Sequence, residues 1–216
     1  MTLADGEVMA RRDGIVLSLC DRTTVMVKPW AEAGYDCICV DIQHPIGRTK
    51  QGNITLVGTD VLKWLPPRSE YAIAFAFTPC TNLAVSGARW FRDKGLPALV
   101  EGLELFSRAV EILEWTGAPY MAENPVGVIS SYYRKPDFTF DPCDYAGYLS
   151  GDAMEAEAYT KKTCLWTGGG FAMPTPRRVL PIPKSPVHYM PPGDDRGDMR
   201  SVTPAGFARA VFEANQ

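Results

Sequence analysis

Residues 15–42 read IVLSLCDRTTVMVKPWAEAGYDCICVDI, and the reading of this stretch decides the fold class. Ile15–Cys20 is a β-rich apolar run, Val25–Ala33 reads as a short helix ended by Gly34, and Asp36–Ile42 is a second apolar run. The same alternation continues outward. Ile54–Val57 reads as a third strand, Asp60–Leu65 as a short helix closed by Pro66-Pro67, and Tyr71–Phe77 as a fourth strand. Leu96, Leu99, Val100, Leu103, Phe106, Val110 and Leu113 recur at three- and four-residue steps, so Pro97–Trp115 is expected to be an amphipathic helix. Pro119–Ala122 reads as a fifth strand. Near-continuous apolar strands alternating with helices argue for an α/β fold, a mostly parallel sheet with helices on both faces.

Beyond residue 126 the pattern changes. Residues 127–159 are rich in Tyr, Asp, Pro and Gly and follow neither period, which predicts an irregular insert. Lys162–Thr167 returns to strand character. Seven prolines fall between Phe171 and Asp198, so residues 168–199 are expected to form an extended arm rather than a helix or central strand. Thr203-Pro204 has the form of a cap and first helical residue for a last helix, Ala205–Ala214. The whole chain is expected to be a single domain.

The 216 residues are 46% hydrophobic and 22% charged, ordinary proportions for a globular protein that exclude a disordered or fibrous chain. No apolar run is long enough for a membrane span. The stretch Met1–Asp13 carries three acidic residues and lacks the apolar segment of a signal peptide. These features predict a protein of the cytoplasm with no membrane partner. The six cysteines then read as free thiols, and two histidines without a CxxC pair argue against a metal site. Charge is uneven: residues 109–159 hold 2 basic and 9 acidic side chains, whereas 160–209 hold 8 basic and 3 acidic. The basic segment suits a phosphate backbone, and equally a solvated surface.

In parallel α/β sheets, ligands bind at the carboxyl ends of the strands. Here those ends carry Cys20-Asp21-Arg22-Thr23-Thr24, Asp41, Thr78-Pro79-Cys80 and Glu123-Asn124-Pro125. Asp41 has the place of a ribose-holding carboxylate, or of a turn aspartate. Cys80, on a loop after proline, has the place of a nucleophilic thiol, or of a small buried apolar group. Glu123 at the edge of a core needs a partner or a task.

These blocks, in this order, resemble the DNA (cytosine-5-)methyltransferases, particularly small phage or prophage members. The likeness covers residues 15–125 and 159–215. It implies a Rossmann-like S-adenosylmethionine-dependent methyltransferase fold, with that cofactor held by Leu19, Cys20, Asp21, Arg22, Thr23, Asp41, Ile42, Asp60, Thr78 and Pro79. It implies Cys80 as nucleophile, Glu123 as the acid on the base, Asn124 orienting the Cys80 loop, and Lys162 steadying the reacting thiolate. It assigns Lys161, Arg200 and Thr203 to the substrate, a DNA cytosine that is flipped out or single-stranded. Two departures stand out. The first loop lacks the glycines usual there, and only 32 residues, 168–199, occupy the place of a recognition domain. The expected activity is therefore cytosine-5 methylation with weak or very short sequence preference. A silent DNA-binding relative and an enzyme acting on free cytosine nucleotides are the alternatives.

Overall fold

The computed structural model describes residues 12–182 and 201–216. Strands β1 (Ile15–Leu19), β2 (Asp36–Gln51), β3 (Ile54–Gly58), β4 (Tyr71–Phe77), β5 (Tyr120–Pro125), β6 (Phe138–Phe140) and β7 (Thr163–Gly168) form one sheet in the order β3-β2-β1-β4-β5-β7-β6. The strands from β1 to β5 pair parallel in their apolar segments, and β7 pairs antiparallel with both β5 and β6. The order reverses between β1 and β4, which puts the switch point where ligands are expected.

Strand residues alternate between two cores, as the period of two requires. Leu17, Leu19, Ala74, Ala76 and Ala122 face helix α2 (Phe91–Trp115), packing with Phe106, Ala109 and Leu113. Val16, Cys37, Cys39, Phe75 and Met121 face the other way. They pack on Trp30 of α1 (Lys28–Glu32) and on Phe207 and Val211 of the C-terminal helix. The sheet is therefore covered on both faces. Within α2, Gly95 adopts φ 70°, so the regular helix begins beside Pro97, the start read from the periodicity.

Four expectations need correction. Residues 60–65 form a turn rather than a helix, with the amides of Lys63 and Trp64 donating to the Asp60 carbonyl at 3.0 and 3.1 Å. The insert at 127–159 is more regular than its composition suggests. It contains the short helices α3 (Ile129–Tyr132) and α4 (Gly151–Ala156) and supplies edge strand β6. Strand β2 also outruns its apolar core. After Asp41 the chain turns back, and Arg48 to Gln51 pair with Val57 to Ile54 in descending order, an antiparallel edge on the far side of β3.

The last correction concerns the cap of the final helix, α5 (Ala205–Asn215), which is not Thr203. The Glu157 carboxylate accepts the Ala205 amide and, at 2.9 Å, that of Gly206. A carboxylate there also suits the positive end of the helix dipole. Phe207 seats the helix, stacking on Phe140 with ring centroids 4.0 Å apart and meeting Tyr145 edge-on at 5.1 Å. Replacing it by Ala should cost about 3–5 kcal/mol in urea unfolding, the range for truncating a buried aromatic.

Candidate active site at the strand ends

Strands β4 and β5 run parallel with Phe77 opposite Glu123. Thr78 and Asn124 are therefore neighbours, and fully buried Asn124 uses this. Its Nδ2 donates to the Thr78 carbonyl at 2.8 Å and reaches Thr78 Oγ1 at 3.3 Å. The two loops that follow are also joined. Val85 N–H donates to the Val126 carbonyl at 3.0 Å, Val128 N–H donates to the Leu83 carbonyl at 3.0 Å, and Ala84 bridges to Gly127. Between these ties, the Cys80 carbonyl accepts the amides of Leu83 and Ala84, each at 2.9 Å, in a tight turn. Lys94 Nζ donates to the Thr81 carbonyl at 2.7 Å and to Asn82 Oδ1 at 3.0 Å, a brace the sequence reading missed.

Glu123 faces the opposite side of the sheet from Asn124, as consecutive strand residues must. It lines a narrow cleft with Phe77, Lys161, Thr163, Ser201 and Thr203, with room for about one water (≈ 10 Å³). Alternation also sorts the two lysines before β7. Lys161 shares the side of Thr163 and lines the cleft, whereas exposed Lys162 stands outside that lining. Cys80 is also outside the lining, on the turn beyond exposed Pro79. Arg200 lies outside the described residues.

Burial pushes the Glu123 carboxyl above its ordinary 4.5, and the Lys161 ammonium offsets part of that rise. The folded state therefore holds this proton more tightly than the unfolded chain. Its stabilising contribution is complete below pH 4.5 and is lost as pH rises through the elevated value. Glu123→Gln should melt above the wild type at neutral pH, with the gap closing toward pH 4 in thermal denaturation.

The other cofactor candidates cluster at the ends of β1, β2 and β3. Burial, then Asp41, Asp21 and Asp60 in that order, push the Cys20 thiol up to about 12, so it stays protonated beside three carboxyls. Asp21 is 3% exposed and shapes its own loop. Its Oδ2 accepts Ser18 Oγ at 2.8 Å, and its Oδ1 accepts the Thr24 amide at 2.7 Å and Thr23 Oγ1 at 3.3 Å. Asp41 Oδ1 accepts the Gln43 amide at 2.7 Å, and Asp60 Oδ1 accepts the Leu62 amide at 3.0 Å. Leu19 is core, Arg22 and Thr23 lie at the surface, and Ile42 is 72% exposed. The loop takes left-handed backbone without glycine, at Cys20 (φ 53°) and Thr24 (φ 58°). Tyr132 and Tyr133 rim a hollow of about 370 Å³ against α2, with Phe106, Glu111 and Glu114.

The strand order, with β7 antiparallel to its neighbours in an otherwise mostly parallel sheet, defines a Rossmann-like α/β fold. Among solved structures, the chain is similar to the CcbJ methyltransferase from Streptomyces caelestis at 16% identity and TM-score 0.32, over 60% of this chain and 49% of that one. It is similar to the glycopeptide N-methyltransferase MtfA at 14% identity and TM-score 0.28, over 58% and 51%. The 16S rRNA (adenine(1408)-N(1))-methyltransferase from Catenulisporales acidiphilia gives 11% identity and TM-score 0.38, over 78% and 89%. The chain thus spans about half the length of the first two. None of the three is named as acting on DNA cytosine, and the fold assignment rests on the strand order itself. No family model and no curated protein matches the chain.

Gly127 offers a direct check on the joined loops. A Cβ there would lie 2.3 Å from the Leu83 carbonyl oxygen. Gly127→Ala must separate the two loops and should cost at least about 2 kcal/mol in chemical denaturation, in the range of mutations that break a packed contact.

Proposed function

We propose that the protein is an S-adenosylmethionine-dependent DNA cytosine-5 methyltransferase with little sequence preference. The observation that carries this reading is the joining of the Pro79-Cys80 and Glu123-Asn124 loops through Asn124 and Thr78 at adjacent strand ends. The residues at the ends of β1, β2 and β3 fit the cofactor. Asp41 and Asp60 offer carboxylate oxygens to ribose hydroxyls and amino groups, and the left-handed loop turns its backbone as glycines would. When bound, S-adenosylmethionine supplies an electrophilic methyl on a sulfonium.

The residues of the chain supply what cytosine lacks. Carbon 5 of the ring is too electron-poor to take a methyl group unaided. The Cys80 thiolate adds to carbon 6, and Glu123 gives its proton to ring nitrogen 3, so the displaced π electrons make carbon 5 nucleophilic. Once carbon 5 carries the methyl, its proton leaves to a base. The carbon 5–carbon 6 double bond re-forms, the Cys80–carbon 6 bond breaks, and Glu123 recovers its proton from nitrogen 3. General acid help of this kind is typically worth about 10²–10⁴-fold. Burial raises the Glu123 carboxyl and so favours its protonated form, and Lys161 balances the charge when the proton leaves.

Nucleoside mass spectrometry tests the reading. DNA incubated with the protein and S-adenosylmethionine should yield 5-methylcytosine, and Cys80→Ala should yield none while its melting curve is unchanged. A parallel arm with dCMP separates DNA from free nucleotide as acceptor. Product independent of Cys80, or none with either acceptor, would reject the mechanism.

A further inference from the structure

Where β2 turns back after Asp41, the usual placement of side chains is reversed. Ile42 is 72% exposed and Ile46 fully exposed, yet His44 between them is buried at 8%. An apolar residue left in water beside an imidazole turned inward is a local conflict of the kind found where function sets the placement. His44 Nε2 lies 3.1 Å from the Asp21 carbonyl oxygen. A carbonyl only accepts, so Nε2 carries the proton and donates. The turn is pressed tightly against β3. A Cβ on Gly58 would lie 2.1 Å from the Pro45 carbonyl oxygen and 2.5 Å from that of His44.

The recipient of this bond is the glycine-free loop. Holding Cys20 and Thr24 at positive φ costs on the order of 1 kcal/mol or more each, and such strain persists only where surrounding contacts over-determine it. The Asp21 carboxyl bonds, to Ser18, Thr23 and Thr24, come from the loop and its own strand. The Cys20 amide donates to the Val40 carbonyl at 2.7 Å, at the level of the sheet. His44 alone among these holds the loop from the turn within β2, and that turn also carries Asp41, whose Oδ1 accepts the Gln43 amide.

We infer that His44 is a positioning residue for the cofactor, fixing the Asp21 carbonyl so that the loop and Asp41 keep one spacing in place of the missing glycines. The inference rests on the proposed use of S-adenosylmethionine. The test is calorimetric titration of the full chain with S-adenosylhomocysteine, comparing wild type, His44→Leu and His44→Gln. Leu keeps the bulk without the donor, and the Gln amide restores a donor at similar reach. His44→Leu should weaken binding about tenfold, the effect of losing one hydrogen bond of ordinary strength. His44→Gln should recover most of it. In turnover assays, KM for S-adenosylmethionine should rise for the Leu variant with kcat held within about twofold. Equal affinities of the Leu and Gln variants, or a Leu variant that binds like wild type, would overturn the inference and leave the cofactor reading intact. A wild-type protein that fails to bind S-adenosylhomocysteine would overturn both.

Discussion

The structure turns on the burial of Asn124. It is fully inside the sheet, at the level where β4 and β5 end, with Nδ2 committed to Thr78. Its Oδ1 is also buried and finds no partner among the described residues. A buried amide half-satisfied in this way is costly, so its conformation is held by what surrounds it. What it achieves is geometric. By fixing Thr78 against β5, it sets where the turn bearing Cys80 leaves the sheet. The backbone ties between Leu83–Val85 and Val126–Val128 then carry both loops as one body.

The antiparallel strand β7 completes the arrangement. Because it runs against β5, its entry brings Lys161 to the same end of the sheet as Glu123. The segment ahead of α5 covers that end, anchored by Glu157 on the helix amides and by Phe207 in the core below. The sheet end has two electrostatic characters. Around Cys20, burial and then the neighbouring carboxyls of Asp41, Asp21 and Asp60 suppress ionisation of the thiol, whereas Glu123 is a single carboxyl facing an ammonium.

The elements that were legible in the sequence are those whose side chains repeat. The continuous apolar run Tyr71–Phe77 is buried through its middle, and the long helix beyond Pro97 buries Phe106, Val110 and Leu113 of its stripe while Leu96 and Val100 stay exposed. The segment from Ile46 to Gln51 is exposed on both faces, so its side chains bear no trace of the strand they form. Strand β6 is three residues long, too short for alternation to register. The Glu157 cap lies 48 residues before the amide it accepts, a relation only the folded chain contains. Glu123 and Asn124 could be found from their place after an apolar run. Which of Lys161 and Lys162 faces Glu123 depended on the register of β7, and the bond from His44 depended on the turn of a hairpin that no periodicity announces.

If Cys80 attacks a cytosine at this strand end, as proposed, an adduct would show it directly. In an oligonucleotide carrying 5-fluorocytosine, carbon 5 has no proton to lose, so the final elimination stops with Cys80 still bonded to carbon 6. The oligonucleotide, the protein and S-adenosylmethionine should give a denaturation-resistant complex, and peptide mass spectrometry should place the added mass on Cys80. No complex from protein that binds the cofactor, or added mass on any other residue, would exclude Cys80 as the nucleophile.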